Sequence, residues 1–358
     1  MSSPAYAIAS TTPYWGRAWE LTVYNTPDGS GSPGAIISSS AWEPEALRVT
    51  FDIQQTAIPS PWWFADISVY NMNAPSVQQA LFNAQWITLK AGYQSVALAG
   101  ADGSSSSLAV VWSGAVMQVL YERDSVVDLK VTFHCLATDP KIARNINFNM
   151  GRNASQAQVV SKMVEAVPSV ATQNTLPDAL SSNQYVRQRT VFGTTDKYFG
   201  QIAQGNNMQW FKAAKGAYLG QLQSSTATPD IVYSPPIPPT PLPANWNLTP
   251  SPTTSYTILD SPQQTDSGVE FKVLLDPRLI VKLPPLLVKI DNAVIRQMKA
   301  NLPQTALFPL DVDNLYIVAA VRHYGDTRGN DWCTDITGYT RTYAQAGLRG
   351  IFLTGGGS

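Results

Sequence analysis

The sequence predicts a mainly β protein in which two related β-barrel domains flank a small α+β module. Three observations predict it. Apolar and polar residues alternate with period two in segments towards both ends of the chain, as in LRVTFDIQ (Leu47–Gln54). Apolar residues recur at helical spacing in the middle, in NASQAQVVSKMVEAV (Asn153–Val167). The 358 residues include 10 Trp, 15 Tyr and 11 Phe beside 26 Pro and 23 Gly. Only 14% are charged, against roughly a quarter in an ordinary globular domain. With 24 Lys+Arg against 25 Asp+Glu the net charge is −1, so the chain lacks the basic field of a dedicated nucleic-acid binder and has no acidic tail.

Residues 1–17 read as an N-terminal arm, without the basic start or apolar run of a signal peptide. The first barrel spans 18–138. Its strands include Leu47–Gln54 and ADISVYNM (Ala65–Met72), joined by the proline-broken AIPSPWW. Asn73 or Ser76 can then cap a short helix carrying Val77, Ala80 and Leu81. WITLKAGY (Trp86–Tyr93) follows, and then a strand from Leu108 with Gly114 as a bulge or bend, a turn near Arg123–Ser125, and a closing strand to Cys135. The module spans 139–228. Its first helix has Ser155 as N-cap and places Ala157, Val160, Met163, Val164 and Val167 on one face. A second helix starts near Thr195 with Phe199 and Ile202 on one side, and a turn at Ala214–Gly216 implies a hairpin.

Residues 229–252 hold 9 prolines and a single charge, Asp230. Such a stretch predicts an extended connector that cannot pair into a central strand; an SH3 or WW ligand is the other reading of PPIPPTPLP. The second barrel spans 253–343. Asp266–Gly268 marks a turn, after which Val269, Phe271, Val273 and Leu275 share a face. LPPLLVKID (Leu283–Asp291) reads as a strand, AVIRQMKANL as a helical insertion, and Tyr316–Thr340 as a hairpin whose first strand is covered on both faces. The tail, 344–358, carries Ile351, Phe352 and Leu353, which favour docking over disorder.

Little in this pattern points to catalysis. His134 lies inside a strand and reads as a structural barrel-end residue. His323 has Asp326 and Asp331 close by in sequence, which leaves two readings: a metal site, or a hairpin tip in which Gly325, Gly329 and Asn330 supply positive φ and the two aspartates cap amides. Phosphate-binding, dinucleotide-binding and serine-hydrolase motifs are absent from the sequence, and two cysteines, Cys135 and Cys333, exclude zinc clusters. These cysteines read as buried thiols, with a disulfide as the alternative. A glycosidase would need two carboxylates, and Glu43, Glu45, Glu122 and Glu165 are scattered. No catalytic, cofactor-binding or metal-binding residue is assigned. Trp62 and Trp63 flank an expected turn, as barrel-end core or as a partner contact. No run of 18 apolar residues exists to span a membrane.

Several short motifs follow one another along the chain. They are Tyr70–Asn71 at a strand end, L-x-A-G-Y at Leu89–Tyr93, and a strand from Trp112 to Val116 of the type F-x-G-x-V. Later come LL-x-P at Leu274–Pro277 and H-x-G-D-x-x-x-x-W at His323, Gly325, Asp326 and Trp332. In order and spacing the chain, from about residue 18 to 343, resembles the baseplate hub (tail hub) family of tailed bacteriophages, the Mu-like central hub proteins. One departure is that RLIVKLPPLLVKID, with Pro284 and Pro285, stands where the family has a glycine-led strand.

The resemblance implies the tail-hub fold and a structural role in the virion tail baseplate, assembled in the host cytoplasm. It implies a homotrimer whose six barrels match a hexameric tail tube, or distal tail ring protein, on one side and a trimeric central spike protein on the other. The C-terminus of the tape-measure protein, and DNA in transit, would occupy the channel. No cofactor and no catalysis are implied. The alternative is a tail-associated cell-wall-degrading enzyme, a glycosidase or peptidase, for which the 15 residues after Tyr343 are too few to form a catalytic domain. The shortage of charge then fits a subunit that hides much of its surface in a ring, around a channel that does not grip phosphates.

Overall fold

The computed structural model describes residues 17–39, 47–56, 62–72, 81–93, 98–99, 105–106, 108–126, 128–137, 145–167, 175–213, 216–221, 228–233, 254–255, 257–295, 297–298 and 309–344. The first part of the chain forms β1 (Arg17–Tyr24), β2 (Ala35–Ser39), β3 (Val49–Thr56), β4 (Trp62–Tyr70), β5 (Trp86–Tyr93), the two-residue β6 (Leu98–Ala99) and β7 (Ser105–Ser106), the long β8 (Leu108–Arg123) and β9 (Leu129–Leu136). The middle forms β10 (Asn145–Met150), α1 (Gln156–Ala166), α2 (Asp178–Ser182), β11 (Arg189–Thr194), α3 (Thr195–Gly205), β12 (Gln209–Ala213) and β13 (Gly216–Gly220). The last part forms β14 (Ile231–Tyr233), β15 (Thr254–Ser255), β16 (Gln263–Gln264), β17 (Gly268–Leu274), β18 (Leu287–Ile290), a 3-10 turn at Asn292–Val294, β19 (Gln297–Met298), β20 (Leu315–Asp326) and β21 (Trp332–Thr340).

The chain is mainly β with a few helices, but two separate closed barrels do not form among the described residues. Fifteen strands make one mixed sheet whose main path runs β19, β16, β17, β21, β20, β3, β4, β9, β8, β5, β1, β2. The physical reason lies in β20. One edge pairs with β21 along nearly its whole length, while the other edge is divided. Leu315–Ile317 pair with β18, whereas Ala320–Asp326 pair with β3 of the first block. An irregularity between Val318 and Ala320 falls at the division and lets one strand serve both branches.

Alternation explains most of the strands. In β3, Val49, Phe51, Ile53 and Gln55 point inwards, so a polar residue occupies the last inward position. The bounds of β5 coincide with the expected Trp86–Tyr93. Gly114 lies within β8, where a Cβ would come 2.4 Å from the Leu136 carbonyl oxygen, so close backbone approach demands glycine. Register irregularities of β8 lie on both sides of Gly114, one against β5 between Trp112 and Val110 and one against β9 between Val116 and Gln118. Trp62 and Trp63 open β4. The helix expected after Asn73 lies outside the described residues except for Leu81, which is buried.

Helix α1 starts where its cap predicts. The Ser155 hydroxyl accepts from the Gln158 amide while the Gln158 side chain accepts from the Ser155 amide, closing a capping box. Val159, Val160 and Met163 are buried, and Val167 just beyond the helix joins them, while Ala157 and Val164 are half-buried. Phe199 and Ile202 of α3 face the same core. The expected hairpin forms as the antiparallel pair β12 and β13.

Two expectations fail locally. Within the proline-rich connector, Ile231–Tyr233 form β14, which lies between β15 and β18 with parallel pairing on both sides. This apolar triplet falls in the proline-free run between Pro229 and Pro235, so its amides can donate. The helical insertion is replaced, in its described part, by a 3-10 turn capped by the Asp291 side chain and then by β19. Adjacent β-branched Val294 and Ile295 disfavour continuing the helix.

Among the described residues there are three large apolar cores and a small cluster of Leu287, Ile317 and Ala344. The first fills the block β1 to β9 and takes in Leu275 and Trp332 from the last part of the chain. The second gathers β14, β17, β18, β20 and segment 279–286. The third lies inside the helical module.

Candidate functional site

The seam where β20 meets β3 is the candidate site, because the late sequence motifs converge there. Inward-facing His323 stands opposite Thr334 of β21 and Ile53 of β3. It is fully buried. Its Nε2–H donates to the Leu279 carbonyl at 2.9 Å, and its Nδ1 accepts from the Thr334 hydroxyl at 2.9 Å. The tautomer follows from chemistry, since a carbonyl oxygen can only accept. Thr334 Oγ1 in turn accepts from the Asp276 amide at 3.0 Å. The buried Asp276 carboxylate accepts from the Tyr233 hydroxyl at 2.8 Å, from Arg278 Nε at 2.8 Å and Nη2 at 2.6 Å, and from the Arg278 amide at 3.1 Å. Gln55 of β3 completes the inner layer, its Oε1 accepting from the Val281 amide at 3.2 Å.

Burial dominates the electrostatics of this network. It lowers the His323 pKa to about 4, opposed by the Leu279 carbonyl bond and by Asp276. Burial also works against the charge of Asp276, yet Arg278 and Tyr233 hold its carboxyl below the ordinary value. The late motifs are physically joined here: the Leu275 amide donates to the Trp332 carbonyl at 2.9 Å. Gly325 provides the seat for an edge-to-face pair of Phe51 and Trp332, with ring centroids 5.4 Å apart. A Cβ at Gly325 would lie 2.6 Å from Phe51 and 2.8 Å from Trp332.

The metal reading of His323, Asp326 and Asp331 is not supported. Both His323 nitrogens are engaged in the interior, while Asp326 lies at the hairpin tip in a bidentate pair with Arg48, at 3.2 and 2.7 Å. Among the described residues no group of three or more His, Cys, Asp and Glu side chains is placed to hold a metal ion. The turn reading also needs correction, since none of Gly325, Gly329 and Asn330 takes a positive φ. Asp326 does cap the Arg328 amide, at 2.9 Å. Burial opposes the Asp326 charge, and Arg48 with the Arg328 amide holds its carboxyl below the ordinary range.

What fixes the tip is Arg17 of β1, which had carried no sequence signal. Its guanidinium donates to the carbonyls of Asp326 at 3.0 Å, Gly329 at 2.6 Å and Asn330 at 3.0 Å, and lies 5.6 Å from the Trp332 ring centroid. Thr327 adds a further tie to β3, its amide donating to the Val49 carbonyl and its hydroxyl accepting from the Val49 amide.

The opposite face of the same strands carries a row of charge. Successive register partners are Lys272 and Asp335, Asp335 and Arg322, Tyr324 and Asp52, Asp52 and Asp66, Asp66 and His134. Arg322 pairs with Asp52 at 2.9 and 2.6 Å, and His134 Nδ1 lies 2.6 Å from Asp66. His134 is therefore a satisfied member of the outer row. An open groove of about 370 Å³ runs over this face, lined by Gln54, Glu270, Lys272, Arg322, Asp335 and neighbours. Burial raises the Asp335 pKa there, opposed by Lys272 and Arg322.

The remaining candidates are dispersed. Glu122 is exposed near Lys130, 3.9 Å away, and Glu165 is exposed on α1, while Glu43 and Glu45 lie outside the described residues. Cys135 and Cys333 are free buried thiols, and burial raises the pKa of Cys135. Trp63 packs against both the first and the second core and lies 5.6 Å from Phe211 of β12, so it joins all three parts of the fold. The side chain of Trp62 lies outside the described residues. Among the described residues no helix is long and apolar enough to cross a membrane.

No family model matches the sequence and no curated protein matches it. Among solved structures the chain is similar to the tail protein from Neisseria meningitidis MC58, at 10% identity and a TM-score of 0.47, covering 93% of this chain and 99% of that one. It is similar to the 43 kDa tail protein of prophage MuSo2 from Shewanella oneidensis, at 9% identity and a TM-score of 0.46, covering 92% and 99%. It is also similar to an E. coli component of the type VI secretion system, at 10% identity and a TM-score of 0.40, covering 84% and 76%. The likeness is thus to phage tail proteins and a secretion-system component, at low identity.

Proposed function

We propose that this chain is the structural baseplate hub of a phage tail. Three copies form a pseudo-sixfold ring that joins the hexameric tail tube, or a distal tail ring protein, to the trimeric central spike. The ring surrounds the channel through which DNA and the C-terminus of the tape-measure protein pass. The chain acts without catalysis and without a cofactor, in the tail baseplate of a virion assembled in the host cytoplasm. Its division into an arm (1–17), two β-blocks (18–138 and 253–343), a module (139–228), a connector (229–252) and a tail (344–358) is part of the same proposal.

The observation that carries this reading is the convergence at the seam. Segments more than 200 residues apart in sequence, around Phe51 and around Gly325–Trp332, pack together and join two β-blocks with separate apolar cores. A threefold assembly can meet a sixfold partner only if each chain offers two quasi-equivalent surfaces, and two β-blocks on one sheet supply that number. Light scattering or mass photometry tests the proposal: a species near three times 38.9 kDa, alone or with its spike, is expected. A protein that stays monomeric and joins neither tube nor spike contradicts it. Clearing of peptidoglycan in a zymogram by the purified protein would contradict the adaptor role.

A further inference from the structure

His323 sits where three segments meet. It belongs to β20, it accepts from Thr334 on β21, and it donates to the Leu279 carbonyl on segment 275–283, which also carries Asp276 and Arg278. We propose that this contact is an acid-sensitive latch: protonation of the His323 imidazole releases segment 276–283 from the β20–β21 hairpin and loosens the second core while the first stays packed.

The hydrogen-bond geometry fits the neutral ring alone. A proton added at Nδ1 would face the Thr334 hydroxyl, which is donating to that nitrogen, and Thr334 Oγ1 already accepts from the Asp276 amide. The hydroxyl would have to turn its own proton away within a fully buried site. Among the described residues, the charged and titratable groups facing His323 come from one side. They are Asp276 and Arg278 of segment 275–283, with Tyr233 of β14 bonded to Asp276. Flanking strands present Thr334 and Ile53, neither of which titrates, while Asp335 and Asp52 point to the outer face. Asp276 is the one facing carboxylate, and its charge is already matched by Arg278, so a second cation beside it is not balanced.

Besides the His323 bond, the segment is tied at its start, where the Asp276 amide donates to Thr334 and the Asp276 carboxylate accepts from Tyr233. The Val281 amide donates to Gln55, and the Leu279 amide donates to the Asp276 carbonyl within the segment itself. Opening the latch therefore exposes Leu279, Val281 and Leu283, which are buried in the second core. With His323 held at about 4 when latched and the ordinary 6.5 when released, the opening equilibrium rises about twentyfold between pH 7 and pH 5.

Hydrogen exchange resolved by mass spectrometry on the full chain, corrected for intrinsic rates, tests this. Opening of the 276–283 amides should rise about twentyfold from pH 7 to pH 5 while β4 and β9 change little. His323→Gln retains an N–H donor for Leu279 without titrating, and should flatten that rise to less than about twofold. Equal pH profiles for the wild type and His323→Gln would overturn the latch, as would a wild-type segment whose protection does not change. If the variant does not fold, the wild type decides. Only two histidines are present, so His323 can be followed by NMR beside His134. Titration of His323 coincident with loss of protection at 276–283 supports the latch, and either event without the other overturns it.

Discussion

The first and second β-blocks are held together by different chemistry. In the first, strands such as β3 bury alternate residues, and the core of Leu21, Ile53, Ile67, Leu89 and Phe133 is almost wholly apolar. In the second, a comparable apolar core encloses a buried chain of polar groups running from Tyr233 through Asp276 and Thr334 to His323. β20 shows why this is needed. Its first five residues are buried on both faces, so side-chain pattern alone does not say which face meets which partner. Directional hydrogen bonds set the register where apolar burial is indifferent. Packing therefore specifies the first block, and geometry specifies the second.

That contrast can be broken from either side. The largest effects come from the two centres. Asp276→Ala leaves Arg278 and Tyr233 without their carboxylate and should cost about 3–5 kcal/mol, measured by chemical denaturation at pH 7.5. Phe133→Ala, in the fully buried middle of the first core, should cost about 3–5 kcal/mol by the same measurement. The two differ only in stronger acid, below the ordinary carboxylate range. Phe133→Ala should cost the same at pH 7.5 and at pH 5. The Asp276 contribution is present above the ordinary carboxylate pKa and is lost only as pH falls through its lowered folded value.

Next in size is the response of the wild type itself. A histidine whose folded pKa is depressed binds its proton in the unfolded chain first, so stability falls as pH drops from 6.5 towards 4. The loss should reach about 3 kcal/mol, and Phe133→Ala should show the same slope as the wild type. A Phe133→Ala protein with a flatter slope would show that the two blocks do not separate in this way. Smallest is the outer face. Arg322→Ala removes an exposed pair with Asp52 and should cost about 1 kcal/mol or less, shrinking further in high salt.

Local features were legible in the sequence. The bounds of β5, the Ser155 cap and the hairpin of β12 and β13 follow from period, capping chemistry and turn residues within a few positions. Gln55 was a readable signal as well: it falls in phase with Val49, Phe51 and Ile53, which places an amide inside the sheet. His323 is in phase with Val321, which marks it as inward-facing and argues against a surface metal site. The seam was not legible, because pairing between Phe51 and Gly325 depends on the fold of everything between them. The Arg17 clamp on three backbone carbonyls leaves no pattern in sequence either, since its acceptors are main-chain atoms that any residue supplies. The expectation of two closed barrels failed for the same reason, as only the divided edge of β20 reveals that the blocks share a strand.

Two-dimensional class averages of the isolated oligomer, viewed down its axis by electron microscopy, test the two-block hub most directly. The expected image is a threefold ring of six lobes in two alternating kinds, one from each β-block, around an open centre. A ring of three lobes, a closed centre, or the absence of any ring would contradict it.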